Sequence, residues 1–261
     1  MLLSAEKWRK DFKVDEIVKF VFYFAFLWES AVWWKHNRNF EFTEKEEVDK
    51  YYPQYYHKTD KVRLVCPHCP LPEYQLTFHS IIQEGRPLYI ECIGNLNMRA
   101  LNAATTTERQ LQRLVFEYER SLTERLPACA ISIGHPVETF CTILDLGGVS
   151  LSNFYRVKDY VFAAASTGQD RYPETMGKFY IINASWAFSA VWAIIRPWLD
   201  EITAAKIQIV GGGYKEVLLK QIPKENLPKQ FGGECECVGG CSMSDAGPWN
   251  IEGGKEKILD F

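Results

Sequence analysis

Cysteine is the residue type in this 261-residue chain whose spacing most readily suggests chemistry. Cys66-Pro-His-Cys69 is a CxxC pair enclosing a histidine, and Cys235, Cys237 and Cys241 cluster toward the other end. Two such groups could together supply four thiolates, a donor set that suits zinc. A CxxC also serves thiol–disulfide exchange, but that use needs a thioredoxin-like setting, which the flanking sequence does not provide. No catalytic constellation of nucleophile and base stands out, so an enzyme is not expected.

Beyond the thiols, the composition speaks for enclosing something bulky and apolar. Aromatic residues make up 14% of the chain, with 13 Tyr, 16 Phe and 8 Trp. The formal net charge of −3 gives no basic excess for nucleic acid and no polybasic membrane anchor, so any membrane contact must rest on apolar surface. The opening Met1-Leu-Leu-Ser-Ala-Glu-Lys-Trp-Arg-Lys10 is charged early and lacks an apolar leader core, from which reduced thiols in the cytosol are expected. Phe20 to Trp34 imitates a membrane span. It carries Glu29 and Ser30, however, and falls short of the roughly 20 apolar residues a spanning helix needs.

Positioning falls to alternating strands and helices from Gly85 onward. Leu88–Ile93, Cys141–Leu146, Lys178–Asn183 and Lys206–Val210 read as strands, bounded by Gly and Pro. Thr107-Glu-Arg-Gln110 has capping-box spacing and opens a helix with Leu111, Leu114, Val115 and Tyr118 on one face, ended by Pro127. Ser152–Thr167, Ala187–Ile195 and Tyr214–Ile222 read as further helices. Nearly continuous apolar strands between helices imply an α/β fold with a mainly parallel, covered sheet. The helix region Trp186–Trp198 leaves almost no polar face: Trp186, Phe188, Val191, Trp192, Ile195 and Trp198 are all apolar. Such a helix is either a buried core element or a lid that meets lipid, and pattern alone does not choose.

Strings in order along most of the chain resemble the CRAL-TRIO lipid-binding family, and closely the fungal secretory-pathway phosphatidylinositol/phosphatidylcholine transfer proteins within it. They include Glu6-Lys-Trp-Arg-Lys10, Tyr52-Pro-Gln-Tyr-Tyr-His-Lys-Thr-Asp-Lys61, Gly85-Arg-Pro-Leu-Tyr89 and Arg125-Leu-Pro-Ala-Cys129. Tyr172-Pro-Glu-Thr-Met-Gly-Lys-Phe-Tyr-Ile-Ile-Asn183, Leu218-Leu-Lys-Gln-Ile-Pro223, Phe231-Gly-Gly233 and Ser244-Asp-Ala-Gly-Pro-Trp249 continue the set. The resemblance implies a CRAL-TRIO fold, its sheet flooring a hydrophobic lipid pocket, with Trp186–Trp198 as a gating helix. It implies Tyr56, Tyr89, Tyr118 and Thr142 as the phosphatidylcholine site, and Glu174, Asp200 and Lys206 as the phosphatidylinositol site. It calls for no metal and no cofactor beyond the bound phospholipid.

The same resemblance divides the chain into a truncated helical region with an apolar insert (1–50), a lipid-binding domain with an insert at about 62–84 (51–249) and a tail (250–261). The segments Phe20–Arg38 and Val62–Glu84 have no counterpart in the family and read as retained introns or gene-model errors, the alternative being a genuine pair of lineage-specific loops; each has a valine, whose codons begin GT, at or beside its start. The basic helix that supplies an arginine to the inositol-lipid site has no match here. Phe140 stands two positions before Thr142, where the family has a small residue. The implied function is binding and intermembrane transfer of phosphatidylinositol or phosphatidylcholine. The protein would act as a cytoplasmic monomer at Golgi or endosomal membranes and present lipid to lipid kinases. A sensor holding a sterol-like ligand without transfer is the alternative.

Overall fold

The computed structural model describes residues 2–14, 40–62, 84–94, 96–149 and 151–250. The apolar run Phe20–Trp34, the Cys66/Cys69 pair, the segment 63–83 and the tail 251–261 lie outside the described residues. Helices α1 (Leu2–Asp11) and α2 (Lys45–Tyr51) precede strand β1 (Gln54–Thr59). Strand β2 (Pro87–Cys92) leads into α3 (Met98–Ala104), α4 (Thr107–Arg120) and α5 (Leu126–Ile133). Then come β3 (Phe140–Asp145), α6 (Leu151–Arg171), β4 (Met176–Ile182), α7 (Phe188–Ile195), α8 (Glu201–Ala205), β5 (Ile207–Ile209) and α9 (Tyr214–Gln221).

The strands form one sheet in the order β1-β2-β3-β4-β5. From β2 to β5 every pairing is parallel, as the apolar runs imply, while β1 adds antiparallel to β2. Alternation along the strands divides the side chains between two faces. Leu88 and Ile90, Cys141 and Ile143, and Tyr180 and Ile182 point to one face, packed under Leu218 and Ile222 of α9 with Leu227 and Phe231. Their neighbours Tyr89, Thr142, Leu144, Phe179 and Ile181 point to the other.

Several helix boundaries differ from the sequence reading: α6 runs four residues past the expected Thr167 to Arg171, and the two ends of α4 differ for identifiable reasons. The N-cap of α4 is Thr106, whose hydroxyl accepts from the Arg109 amide at 3.2 Å, one position before the threonine of the capping-box pattern. Pro127 does not end that helix. The ladder widens to a π-helical turn over Ser121–Arg125, and that local widening accommodates Pro127 at the start of α5 without breaking the helical path. Gly134, at φ 75°, then closes α5 in the left-handed conformation. Glu84, read as the last residue of the second insert, is buried, pairs with Arg86 at 3.2 Å and accepts from Gln221. Among the described residues no helix is long and apolar enough to cross a membrane.

Candidate functional site

Above the second face of the sheet lies a cavity of about 770 Å³. Strand register lines up its floor: Tyr56 is opposite Tyr89, Tyr89 opposite Thr142, and Thr142 opposite Phe179. The period of two therefore puts three of the four residues matched to the choline-lipid site in one cross-sheet row. Tyr118, the fourth, arrives from α4, with Gly168 of α6 making room for it. A Cβ at Gly168 would stand 2.8 Å from the Tyr118 hydroxyl. Tyr89, Tyr118 and Thr142 border the cavity, and Tyr56 borders a smaller polar recess that also reaches those three.

Helix α7 forms another wall, and here the expected gate set divides. Phe188, Val191, Trp192 and Ile195 line the cavity. Trp186 lies before the helix and is 93% exposed, while Trp198 falls in a following 3₁₀ turn and packs edge-on against Phe162 of α6 at 5.2 Å. The regular helix is thus shorter than the apolar run, because Pro197 cannot continue it.

Glu174, Asp200 and Lys206 all border the same cavity. The Lys206 ammonium lies 3.4 Å from the Glu174 carboxylate, whose side chain is 80% exposed. Asp200 caps α8: its two oxygens accept from the Thr203 amide at 2.8 Å and the Thr203 hydroxyl at 2.6 Å. Those hydrogen bonds hold its carboxyl below the usual range. Asp200 thus has a structural task beside any contact with a ligand.

In the polar recess, burial pushes the Tyr56 phenol up to about 12 and raises those of Tyr89 and Tyr118, so all three remain hydrogen-bond donors at neutral pH. Their ring faces are partly taken. The Arg125 guanidinium lies over Tyr56 at 3.9 Å, and Tyr118 stacks on Tyr172 with centroids 4.4 Å apart. The Tyr56 and Tyr118 rings thus have little open face left for a ligand cation.

Arg125 and Arg113 belong to this recess, and motif reading missed their role. Both are buried. Arg125 pairs with Glu117 at 2.8 Å and Arg113 with Asp49 at 3.0 Å. The Arg125 Nε has no hydrogen-bond partner among the described residues and lies beside the Tyr56 π-face. Only capping-box order and an RLP string marked this stretch in the sequence; of the acids that make the arginines tolerable, Glu117 lies on α4 itself, while Asp49 and Asp245 come from distant segments.

Phe140 is buried, with its ring 6.2 Å from Tyr56 and 6.3 Å from Tyr118. Phe140→Ser should therefore do two things. Loss of the packed ring should cost about 3 kcal/mol, seen as a lower melting temperature. Below that temperature, a hydroxyl near Thr142 and the space released should raise phosphatidylcholine transfer relative to phosphatidylinositol in a vesicle assay. Equal change for both lipids would show that Phe140 shapes the cavity generally and not the headgroup end.

Residues 73–233 match the family model of the CRAL/TRIO domain. The chain belongs to the CRAL/TRIO family. It is 44% identical over 252 residues to the Sec14 cytosolic factor of Schizosaccharomyces pombe, covering 97% of this chain and 74% of that protein. To the SEC14 cytosolic factor of Kluyveromyces lactis it is 44% identical over 255 residues, covering 97% and 71%. It is 35% identical over 246 residues to the phosphatidylinositol/phosphatidylcholine transfer protein SFH4 of Arabidopsis thaliana, covering 93% of this chain and 34% of that one. Among solved structures, that of Sfh5 matches with a TM-score of 0.50 at 15% identity over 82% of this chain and 58% of that chain, a likeness of fold alone.

Proposed function

We propose that this protein holds one phospholipid in the α7-walled cavity and carries it between membranes, with phosphatidylinositol and phosphatidylcholine as its cargo. The observation that carries this reading is a cavity of about 770 Å³ with an apolar wall on α7 and, at its edge, phenols, Thr142 and Lys206. Acyl chains suit that apolar wall, and phenolic and ammonium donors suit a phosphate. No bond need be made or broken; the work is desolvation and release. Phe162, Trp186 and Ile202, exposed on or beside α6, α7 and α8, offer apolar contact to a membrane surface. The names of two kinds of relative, a cytosolic factor and a phosphatidylinositol/phosphatidylcholine transfer protein, support the transfer reading; presentation of phosphatidylinositol to lipid kinases at Golgi membranes is our extension of it. The test is native mass spectrometry of the purified chain with lipid extraction, together with vesicle-to-vesicle transfer of each labelled lipid. One phospholipid per chain and measurable transfer are expected. A bound sterol, or bound lipid without transfer, would replace this reading with that of a sensor.

A further inference from the structure

Of the cysteines near the C-terminal end, three converge on one histidine from far away in sequence. Ligand atoms of His57, Cys235, Cys237 and Cys241 all lie within 4.8 Å of one another. His57 Nε2 is 3.3 Å from Cys235 Sγ, and Cys235 Sγ is 3.8 Å from Cys237 Sγ. We propose that these four residues bind one zinc ion, which clamps the C-terminal strap to β1. A tetrahedral zinc with bonds of about 2.3 Å to sulfur and about 2.0 Å to nitrogen sets its sulfurs about 3.8 Å apart and sulfur to nitrogen about 3.5 Å. The His57–Cys235 and Cys235–Cys237 spacings, 3.3 and 3.8 Å, are close to those of a filled site, and the remaining pairs lie within 4.8 Å.

The backbone is shaped for the same end. Cys235 is held by a bridge to Pro228. Gly239 and Gly240 take φ values of 77° and 95°, a left-handed pair that turns the chain back, and the Gly240 amide donates to the Cys237 carbonyl at 2.9 Å. That turn returns Cys241 to the other thiols. It needs glycine, since side-chain-bearing residues are strained there.

The imidazole is oriented from behind. Ser244 Oγ lies 3.4 Å from His57 Nδ1 and donates to the Cys241 carbonyl at 3.0 Å, leaving Nε2 directed at the sulfurs. An outer contact of this kind sets the tautomer of a metal-binding histidine. His57 and Cys235 are buried, and all six described cysteines are free of disulfides. Three soft sulfur donors and an imidazole select zinc over magnesium or calcium, which need oxygen ligands. Binding replaces thiol protons with metal–sulfur bonds and releases those protons to solvent.

The clamp has a structural consequence. Immediately after Cys241 the strap supplies Ser242, Met243 and Asp245 to the wall of the polar recess. Asp245 lies 3.0 Å from Arg120 and accepts from the Trp249 indole at 3.0 Å. His57 itself follows Tyr56 on β1. The ion would thus fix the strap beside the tyrosine row without touching the cavity.

The test uses the full chain produced in zinc- or cobalt-supplemented medium, and its readout does not depend on lipid. Elemental analysis should give about one zinc per chain, and X-ray absorption at the zinc edge should show three sulfur and one nitrogen neighbours at about 2.3 and 2.0 Å. Cobalt-grown protein should show the visible bands of a tetrahedral thiolate site. Cys66→Ser with Cys69→Ser should retain the metal, whereas Cys241→Ser should lower metal content to about a tenth or less. A chain that takes up neither metal overturns the proposal, as does a zinc shell of any other composition or loss of zinc from the Cys66/Cys69 variant. These wild-type measurements decide the matter even if Cys241→Ser fails to fold.

Discussion

Trp192→Asp should depress transfer of phosphatidylinositol and phosphatidylcholine alike, by about tenfold or more. Trp192 lines the cavity from α7 beside Phe188, Val191 and Ile195. On the proposed reading that face would meet acyl chains with the helix closed and bilayer with the helix swung outward. A carboxylate is unwelcome in both places, since an ionised group moved into apolar surroundings without a partner costs several kcal/mol. Only a protonated carboxyl or a displaced helix relieves the penalty, and either raises the barrier to exchange. Trp186→Asp is the informative companion. At 93% exposure Trp186 contributes little to the cavity, so its loss should leave lipid content unchanged and slow transfer only where membrane docking limits the rate. Lipid content by mass spectrometry and transfer between labelled vesicles measure the two quantities separately. Intact transfer of both lipids by Trp192→Asp would show that α7 is no gate.

The strands that floor the cavity were readable because β2, β3 and β4 are covered on both faces, by α9 below and by cavity-lining groups above, and so read as nearly unbroken apolar runs. β1 escaped for the complementary reason. It is an edge strand whose Tyr55-Tyr56-His57 core is flanked by Gln54 and Lys58, and no apolar run advertises it. Without β1 the register is invisible, and Tyr56 cannot be set beside Tyr89 except through family resemblance. The apolar stretch Trp186–Trp198 identified the α7 wall but not its ends, since hydrophobicity does not say which tryptophan meets solvent and which meets Phe162. The arginine recess was closed to sequence reading altogether: Arg113 finds Asp49, and Arg125 finds Glu117 and Asp245, only after folding. The thiols illustrate the same limit. Cys66 invited a partnership with the later cysteines by its spacing, yet the histidine found beside them, His57, sits in a family string with no metal-ligand spacing to mark it.

Lys206→Ala should depress phosphatidylinositol transfer ten- to a hundredfold and leave phosphatidylcholine transfer nearly unchanged. Lys206 borders the cavity at the end of α8, and its ammonium lies 3.4 Å from Glu174. Glu174 is 80% exposed, so that pair resembles a surface ion pair, worth about 0–1 kcal/mol, and its loss should hardly change stability. A desolvated lipid phosphate is a stronger partner: a charge-assisted hydrogen bond contributes about 1.5–3 kcal/mol, the free energy of that ten- to hundredfold change. The lysine would move between the two, resting on Glu174 when the site holds no inositol lipid and turning to phosphate when it does. Glu174→Gln should then weaken the resting pair without removing the donor, and phosphatidylinositol transfer should hold or rise. On the proposed reading choline lipid would be placed by the row Tyr56–Tyr89–Thr142, which lies on β1, β2 and β3, whereas Lys206 lies at the entry to β5. This separation across the sheet is the reason to expect selective loss. Equal losses for both lipids in Lys206→Ala, or a fall in phosphatidylinositol transfer in Glu174→Gln as deep as that in Lys206→Ala, would make the pair a structural tie between β4 and β5 and leave the inositol phosphate to other donors.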